Sequence, residues 1–278
     1  MTLTLLEYLN KWGKHTVLIS RGYGSRFQGS FAHYENGSWD REGFFGDELQ
    51  LCLKRFPSIE AGVGKRRAVL VQRAAKRRPD SVILLDDALQ YWRLGHAIRI
   101  CMIHGSLGFG NGSIFPDGPL REKPVELKRV QAVVISYPTE TLESYRQKLE
   151  KYDYEGPVFL LHSGIEEFTS SDQSVFNRAK PAILITGIAH PELLRIQLES
   201  EGLCIDELIS LGDHGEFSST ILERMREANR KGRQVLITAK DHARMPENAA
   251  DCFVVHQKLR IEPEAEFKVW FEQKLQIQ

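Results

Sequence analysis

No apolar run in this 278-residue chain approaches the ~20 residues needed to cross a bilayer, and no secretory leader pattern is visible. The expectation is a protein that is cytosolic or peripheral to a membrane. Net charge is missing too: 37 Lys and Arg balance 37 Asp and Glu, so no global field points to nucleic acid or to acidic ligands. Cysteine is sparse. Cys52, Cys101, Cys204 and Cys252 form no CxxC pair, which removes the usual zinc and redox spacings and leaves free thiols in a reducing compartment. HExxH is absent, and so is the GxSxG nucleophile elbow. "GFGNG" (108–112) lacks the GxGxxG spacing of a dinucleotide fingerprint.

What is present is an ordinary globular composition, 42% hydrophobic and 27% charged. Short apolar runs at 16–20, 81–85, 98–104, 130–136, 156–162, 181–188, 234–241 and 252–262 read as strands. Segments with apolar residues at helical spacing separate many of them, notably 3–12, 47–56 and 66–78, and a helix closes the chain over 264–275. The stretch 21–45 reads as a polar loop, without a two-residue hairpin turn in this half. That alternation predicts an α/β fold: βαβ units forming a mostly parallel sheet with helices on both faces, and a second, smaller α/β domain. The expected domains are 1–150 and 151–278, with "KYDYEG" as a weak linker.

Chemistry is expected at the carboxyl ends of the strands, where open α/β sheets bind ligands. "SVILLDDALQ" (81–90) runs four apolar residues into Asp86 and Asp87. Two carboxylates at such a rim suit Mg²⁺ and its water shell; alternatively, Asp87 caps the segment that follows. "SRGYG" (20–24) offers glycines for close backbone approach and Arg21 for an anion, or is a plain turn. Asp47, in "GDE" (46–48), opens a helix as a cap or serves as a base. "GDHGEF" (212–217) sets His214 beside an acid between glycines. The loop 105–122 holds five glycines and two prolines and ends in Arg121 and Glu122; loops of this length usually carry function. From Lys65 to Arg78 there are seven basic residues and no acid, which suits phosphates, anionic lipid head groups or a solvated helix face. Aromatic interleaving is missing there, so no nucleic-acid partner is expected.

Taken in order, "SRGYG", "GDE", "ILLDDALQ", "GFGNG…PDGPLRE", "GIAHPE", "GDH" and "LITAKD" resemble the tetraacyldisaccharide 4'-kinases of lipid A biosynthesis, over roughly residues 3–256. The resemblance implies a membrane-facing branch of the P-loop NTPases. Its reaction is ATP-dependent phosphorylation of the 4'-hydroxyl of an acylated disaccharide 1-phosphate, at the cytoplasmic face of the bacterial inner membrane. It implies ATP and Mg²⁺ as cofactors and an anionic membrane surface as a partner. Asp86 and Asp87 match its Walker-B-type acids, with Glu122 as a further Mg²⁺ carboxylate. Asp47 matches the catalytic base and His214 the histidine paired with it. Tyr23 and Arg67 match ligand-contacting positions, the latter assignment being open to Arg66; Arg21, Gln90, Asn111 and Arg121 are the remaining substrate-binding candidates.

This sequence also departs from the family. A GGTGKT-type Walker A loop, with the strand before it, is not found in these residues. "DDALQY" stands for the usual DDGLQH, "TAKD" for TEKD, and His104 for an Asp. Deleting a central strand would strip backbone partners at about 1–3 kcal/mol each, against a domain stability of about 5–15 kcal/mol. The expectation is therefore that Met1 is an internal methionine of a longer protein. The alternative is a shortened, inactive relative that binds lipid A precursor or a protein partner. A nucleotide-sugar enzyme of the same architecture is a weaker third reading.

Overall fold

Leu5, Leu6 and Leu9 recur at helical spacing and form the buried side of α1 (Thr2–Lys11), which ends where Gly13 turns left-handed at φ 65°. The computed structural model that shows this describes residues 1–22, 31–43, 45–91, 94–95, 97–170, 174–212, 215–246 and 249–276. Along the chain α1 is followed by β1 (Thr16–Ser20), β2 (Ala32–Glu35), β3 (Ser38–Trp39), α2 (Asp47–Arg55), β4 (Glu60–Val63), α3 (Arg67–Arg77) and β5 (Val82–Leu85). Next come β6 (Ile100–His104), β7 (Ala132–Ser136), α4 (Leu142–Glu150) and β8 (Val158–Ser170). The remainder is β9 (Ala182–Thr186), α5 (Pro191–Ser200), β10 (Ile205–Ser210), α6 (Ser219–Arg230), β11 (Gln234–Thr238), α7 (Ala239–His242), β12 (Phe253–Glu262) and α8 (Glu264–Gln276).

These elements group into two compact units. The first combines Thr2–Asp86 with Gly164–Lys258; the second combines Met1, Asp87–Ser163 and the chain from Leu259 on. In the first unit one sheet runs β3-β2-β4-β1-β5, with β1 parallel to both β4 and β5. Alternation along β1 decides which helix packs where. Leu18 joins Leu6 of α1 and Leu49 and Leu53 of α2 on one face, while Val17 and Ile19 meet Leu70 of α3 on the other. The same unit holds β10-β9-β11-β12, paired in parallel. Ile183, Ile185, Val235 and Ile237 pack on Met225 and Ala228 of α6, and Leu184 and Leu236 on Leu194 and Leu198 of α5. In the second unit β6, β7 and the first part of β8 are parallel, with Val133 and Ile135 against Tyr145 and Leu149 of α4. Phe159 meets Phe267 of α8 edge-on, with ring centroids 5.0 Å apart. Parallel strands covered on both faces are the α/β architecture that the alternating pattern predicts.

Details depart from the sequence expectation, each for a local reason. The stretch 21–45 is not a plain loop: "ENGS" closes a β2–β3 hairpin with Asn36 and Gly37 at φ 52° and 83°, and Tyr34 faces Trp39 across it. Asn-Gly is the pair that a two-residue hairpin turn favours, because both positions need positive φ. β4, "EAGV", has no strand pattern in the sequence because Ala and Gly carry little strand signal, yet it is wholly buried between β1 and β2. β5 is half-buried along its length, not fully buried as its apolar run predicts, since it stands last in its sheet order.

Candidate active site

Asp86 follows β5 directly, and its N–H donates to the Ile19 carbonyl at 3.0 Å, carrying the β1–β5 ladder one residue past the strand. Its carboxylate accepts from the Thr2 hydroxyl at 2.8 Å, at the start of α1. Its carbonyl accepts from Arg67 Nη1 at 2.9 Å. Arg67 opens α3 and is only 7% exposed, so its guanidinium is held away from water against this rim. Two sequence-predicted residues, Asp86 and Arg67, thus meet at the carboxyl end of β5. Thr2 is a third member with no sequence signal. Arg21 is exposed beyond the end of β1, where Gly22 turns left-handed at φ 78° and donates to Ser20 Oγ. Cys52 also senses this rim: burial pushes its thiol up to about 12, and the Asp86 charge adds to the effect.

Within the second unit, Asp87 adopts a left-handed backbone at φ 44° and does not cap a helix, because 88–91 form turns. An Asp tolerates that conformation where most residues do not. Its carboxylate accepts from Arg121 Nη1 at 3.2 Å, and the same nitrogen stands 3.5 Å from Gln90 Oε1. Asp87, Gln90 and Arg121 are thereby brought together. The side chains of the pair are 63% and 67% exposed, so its net contribution is about 0–1 kcal/mol. Glu122 is half-buried, close enough that its charge helps raise the Cys101 thiol, which burial alone already lifts, to about 11. Asn111 holds its own loop: its amide donates to the Asp117 carbonyl at 2.8 Å and accepts from the Ser113 N–H at 3.0 Å.

Asp47 is the first residue of α2 by its backbone, where the helix dipole favours an anion, but its side chain lies outside the described residues. Tyr23 and His214 lie outside them as well. The glycines flanking His214 are described: the Gly215 N–H donates to the Gly212 carbonyl at 3.0 Å. Gly215 is demanded by packing, since a Cβ there would sit 1.9 Å from the Leu211 carbonyl oxygen.

The basic run 65–78 is largely consumed at home. Arg67 is bound to Asp86, Arg73 lies over the Phe31 ring at 4.0 Å, and Arg77 and Arg78 pair with Glu60, a carboxylate only 5% exposed. Of the seven bases in that run, these four spend their charge or faces inside the unit, which weakens its reading as a lipid-facing strip.

Among the described residues, no group of three or more His, Cys, Asp or Glu is arranged to hold a metal ion. Mg²⁺ does not require such a cage; it commonly takes one or two carboxylates plus substrate phosphates and keeps several waters. Asp86 and Asp87, all-oxygen donors in sequence, fit that chemistry. The thiols do not compete as ligands: Cys52, Cys101 and Cys252 are buried, and only Cys204 is exposed. A thiol reagent at pH 8 should therefore label one cysteine in the native chain and all four in denaturant. Rapid native labelling of Cys52 would contradict this packing.

The sequence model of the Tetraacyldisaccharide-1-P 4'-kinase family matches residues 1–276. A tetraacyldisaccharide 4'-kinase from Chromobacterium violaceum is 31% identical over 247 residues, covering 88% of this chain and 69% of the relative. One from Rhodopseudomonas palustris is 28% identical over 273 residues, covering 96% and 77%. Among solved structures, LpxK from Aquifex aeolicus, described as an "apo" form in complex with ATP, superposes with a TM-score of 0.74 at 22% identity. That superposition covers 99% of this chain and 82% of the other, a likeness of fold.

Proposed function

The chain belongs to the tetraacyldisaccharide-1-P 4'-kinase family, and from that premise we propose that it moves the γ-phosphoryl group of ATP to the 4'-hydroxyl of a tetraacyldisaccharide 1-phosphate in lipid A synthesis. The observation that carries the reading is the family match over 1–276, with Asp47 opening α2 and Asp86 directly following β5, which pairs in parallel with β1. A sugar hydroxyl is a weak nucleophile, so a base that removes its proton during attack lowers the barrier. In this mechanism Asp47 accepts that proton and His214 orients and supports it. The sugar oxygen bonds to the γ-phosphorus as the bond to the β,γ-bridging oxygen breaks, and ADP leaves. Asp86 and Asp87 would hold Mg²⁺, which when bound would offset negative charge on the phosphates of ATP; Glu122 is assigned by family likeness alone as a further carboxylate for it. Arg67 keeps the Asp86 segment in place through its carbonyl. Tyr23, Arg21, Gln90, Asn111 and Arg121 are assigned to substrate.

No helix of the described residues is long and apolar enough to cross a membrane. The acyl chains of the substrate support peripheral attachment to an anionic membrane surface on the cytoplasmic side. Leu107 and Phe115, 61% and 77% exposed on the 105–122 loop, are apolar side chains such an attachment would use. Sedimentation with vesicles rich in anionic phospholipid should carry the protein down, and a Leu107→Ser, Phe115→Ser variant should stay largely in the supernatant. Recovery of the unaltered protein in the supernatant would remove the membrane from the account.

The activity is tested by incubating the gene product with γ-labelled ATP, Mg²⁺ and the acylated disaccharide 1-phosphate. Label should enter the lipid as a second phosphomonoester at the 4'-position. A product labelled elsewhere, or a lipid that binds without ever being labelled, would favour the non-catalytic reading.

A further inference from the structure

β9 and β11 end at Thr186 and Thr238, and a single buried carboxylate joins the two ends. Asp241 of α7 is fully buried. It accepts from Thr186 Oγ1 at 2.6 Å, from the Gly187 N–H at 2.9 Å, from Thr238 Oγ1 at 2.6 Å, and from Arg244 Nη2. Thr238 and Asp241 also form a reciprocal capping box at the start of α7. A helix of four residues needs no such investment of donors for its own sake. Replacing a buried ion pair by apolar residues is often neutral or stabilising, so net stability alone does not account for this one.

The neighbours of the network suggest what it holds. Gly187 is wedged: a Cβ there would lie 2.9 Å from Arg244 Nη2, 3.0 Å from the Gly212 carbonyl oxygen and 3.2 Å from the Gly215 nitrogen. The carboxylate therefore fixes the backbone against which both flanks of residue 214 rest. Thr186 adds a further tie, its carbonyl accepting from the Leu211 N–H at 2.9 Å. On its other side α7 packs on α2, and Lys240 Nζ reaches Glu48 Oε1 at 3.0 Å. Lys240 is 18% exposed and Glu48 is the residue after Asp47, in the first turn of α2.

We propose that Lys240 and Asp241 are positioning residues for phosphoryl transfer, one turn registering the N-terminus of α2 that carries Asp47 and the backbone of Leu211, Gly212 and Gly215 on either side of His214. This rests on the assignment of Asp47 and His214 made above. Lys240 acts through Glu48, and Asp241 through Gly187. Neither is required to touch substrate. Misplacing a catalytic group by about 1 Å can cost as much as 10²-fold in rate, so a short turn between two such groups has leverage.

The test is a double-mutant cycle on the full gene product, read as kcat and KM separately. Lys240→Met keeps the aliphatic stem and removes the link to Glu48. It should lower kcat about ten-fold with KM nearly unchanged, and Lys240→Arg should restore most of it. In an Asp47→Asn background the same Lys240→Met change should cost less than about two-fold, because there is no base left to position. An equal loss in both backgrounds, or no loss with Asp47 present, overturns the proposal. If Asp47→Asn itself leaves kcat intact, the base assignment is what fails, and the two failures are told apart by that single variant. The Asp241 arm is read without catalysis, by hydrogen exchange in Asp241→Asn. Amides of 211–217 should exchange faster while those of α4 stay as they were. Unchanged exchange at 211–217 refutes that arm, and Gly187→Ala probes the same backbone should Asp241→Asn not fold.

Discussion

Replacing Asp47 by Asn is expected to lower kcat by about 10²–10⁴-fold while leaving KM for ATP close to its original value. The size follows from general-base chemistry: Asn keeps the shape and most hydrogen bonding of the side chain but does not take up a proton at neutral pH. KM is spared because the lost interaction operates in the transition state, when the hydroxyl is losing its proton. His214→Ala should fall in the same range. The double variant should be little worse than the more damaged single one, since groups acting as a unit are strongly non-additive. A Michaelis–Menten series for the four proteins decides this. Multiplicative losses would mean that the two residues serve separate steps.

The second large effect is on stability. Asp241→Ala should destabilise the protein by about 3–5 kcal/mol, the typical consequence of removing one partner from a buried ion pair. The side chain is fully buried, and its loss removes a charged partner from Arg244, which is 11% exposed, and an acceptor from two threonine hydroxyls and the Gly187 N–H. The opposite case stands at Asp87. Its pair with Arg121 has the same chemical type, but the partners are 63% and 67% exposed, and Arg121→Ala should change stability by less than about 0.5 kcal/mol. Urea denaturation of both variants compares them directly. Similar midpoint shifts would contradict the idea that burial sets the difference.

Sequence and structure agree best where the pattern has one physical meaning. Buried parallel strands covered on both faces, such as Ala132–Ser136, Ala182–Thr186 and Gln234–Thr238, are continuous apolar runs and were legible as such. Strands whose side chains carry another message were not. β10, "IDELIS", carries acids that pair with Arg224 and Arg233, and its strand character comes from the parallel ladder with β9 and not from an apolar run. β8 extends to Ser170 through a polar stretch with no apolar run to mark it. At the candidate site, residue type and rim position pointed to Asp86 and Asp87, and family likeness to Arg67 and Arg121. The structure pairs Arg67 with Asp86 in the first unit, and Arg121 with Asp87 in the second. Thr2 had no signal in the sequence, and Asp241 appeared there only as the last residue of "LITAKD", because a buried carboxylate serving two strand ends looks like any acid until the strands are placed. Asn111, expected at substrate, has amide bonds within its own loop. Asp47 and His214 are carried by family likeness and by the backbone around them.

The account stands or falls on what Asp86 and Asp87 do with nucleotide. Calorimetric titration of ATP into the gene product, with and without Mg²⁺, measures this directly in the unaltered protein, Asp86→Asn and Asp87→Asn. The expected result is Mg²⁺-dependent binding that weakens about ten-fold or more in each variant, as loss of a metal carboxylate does. ATP binding that is equally tight in all three, with the same response to Mg²⁺, would contradict the central role given to these two acids.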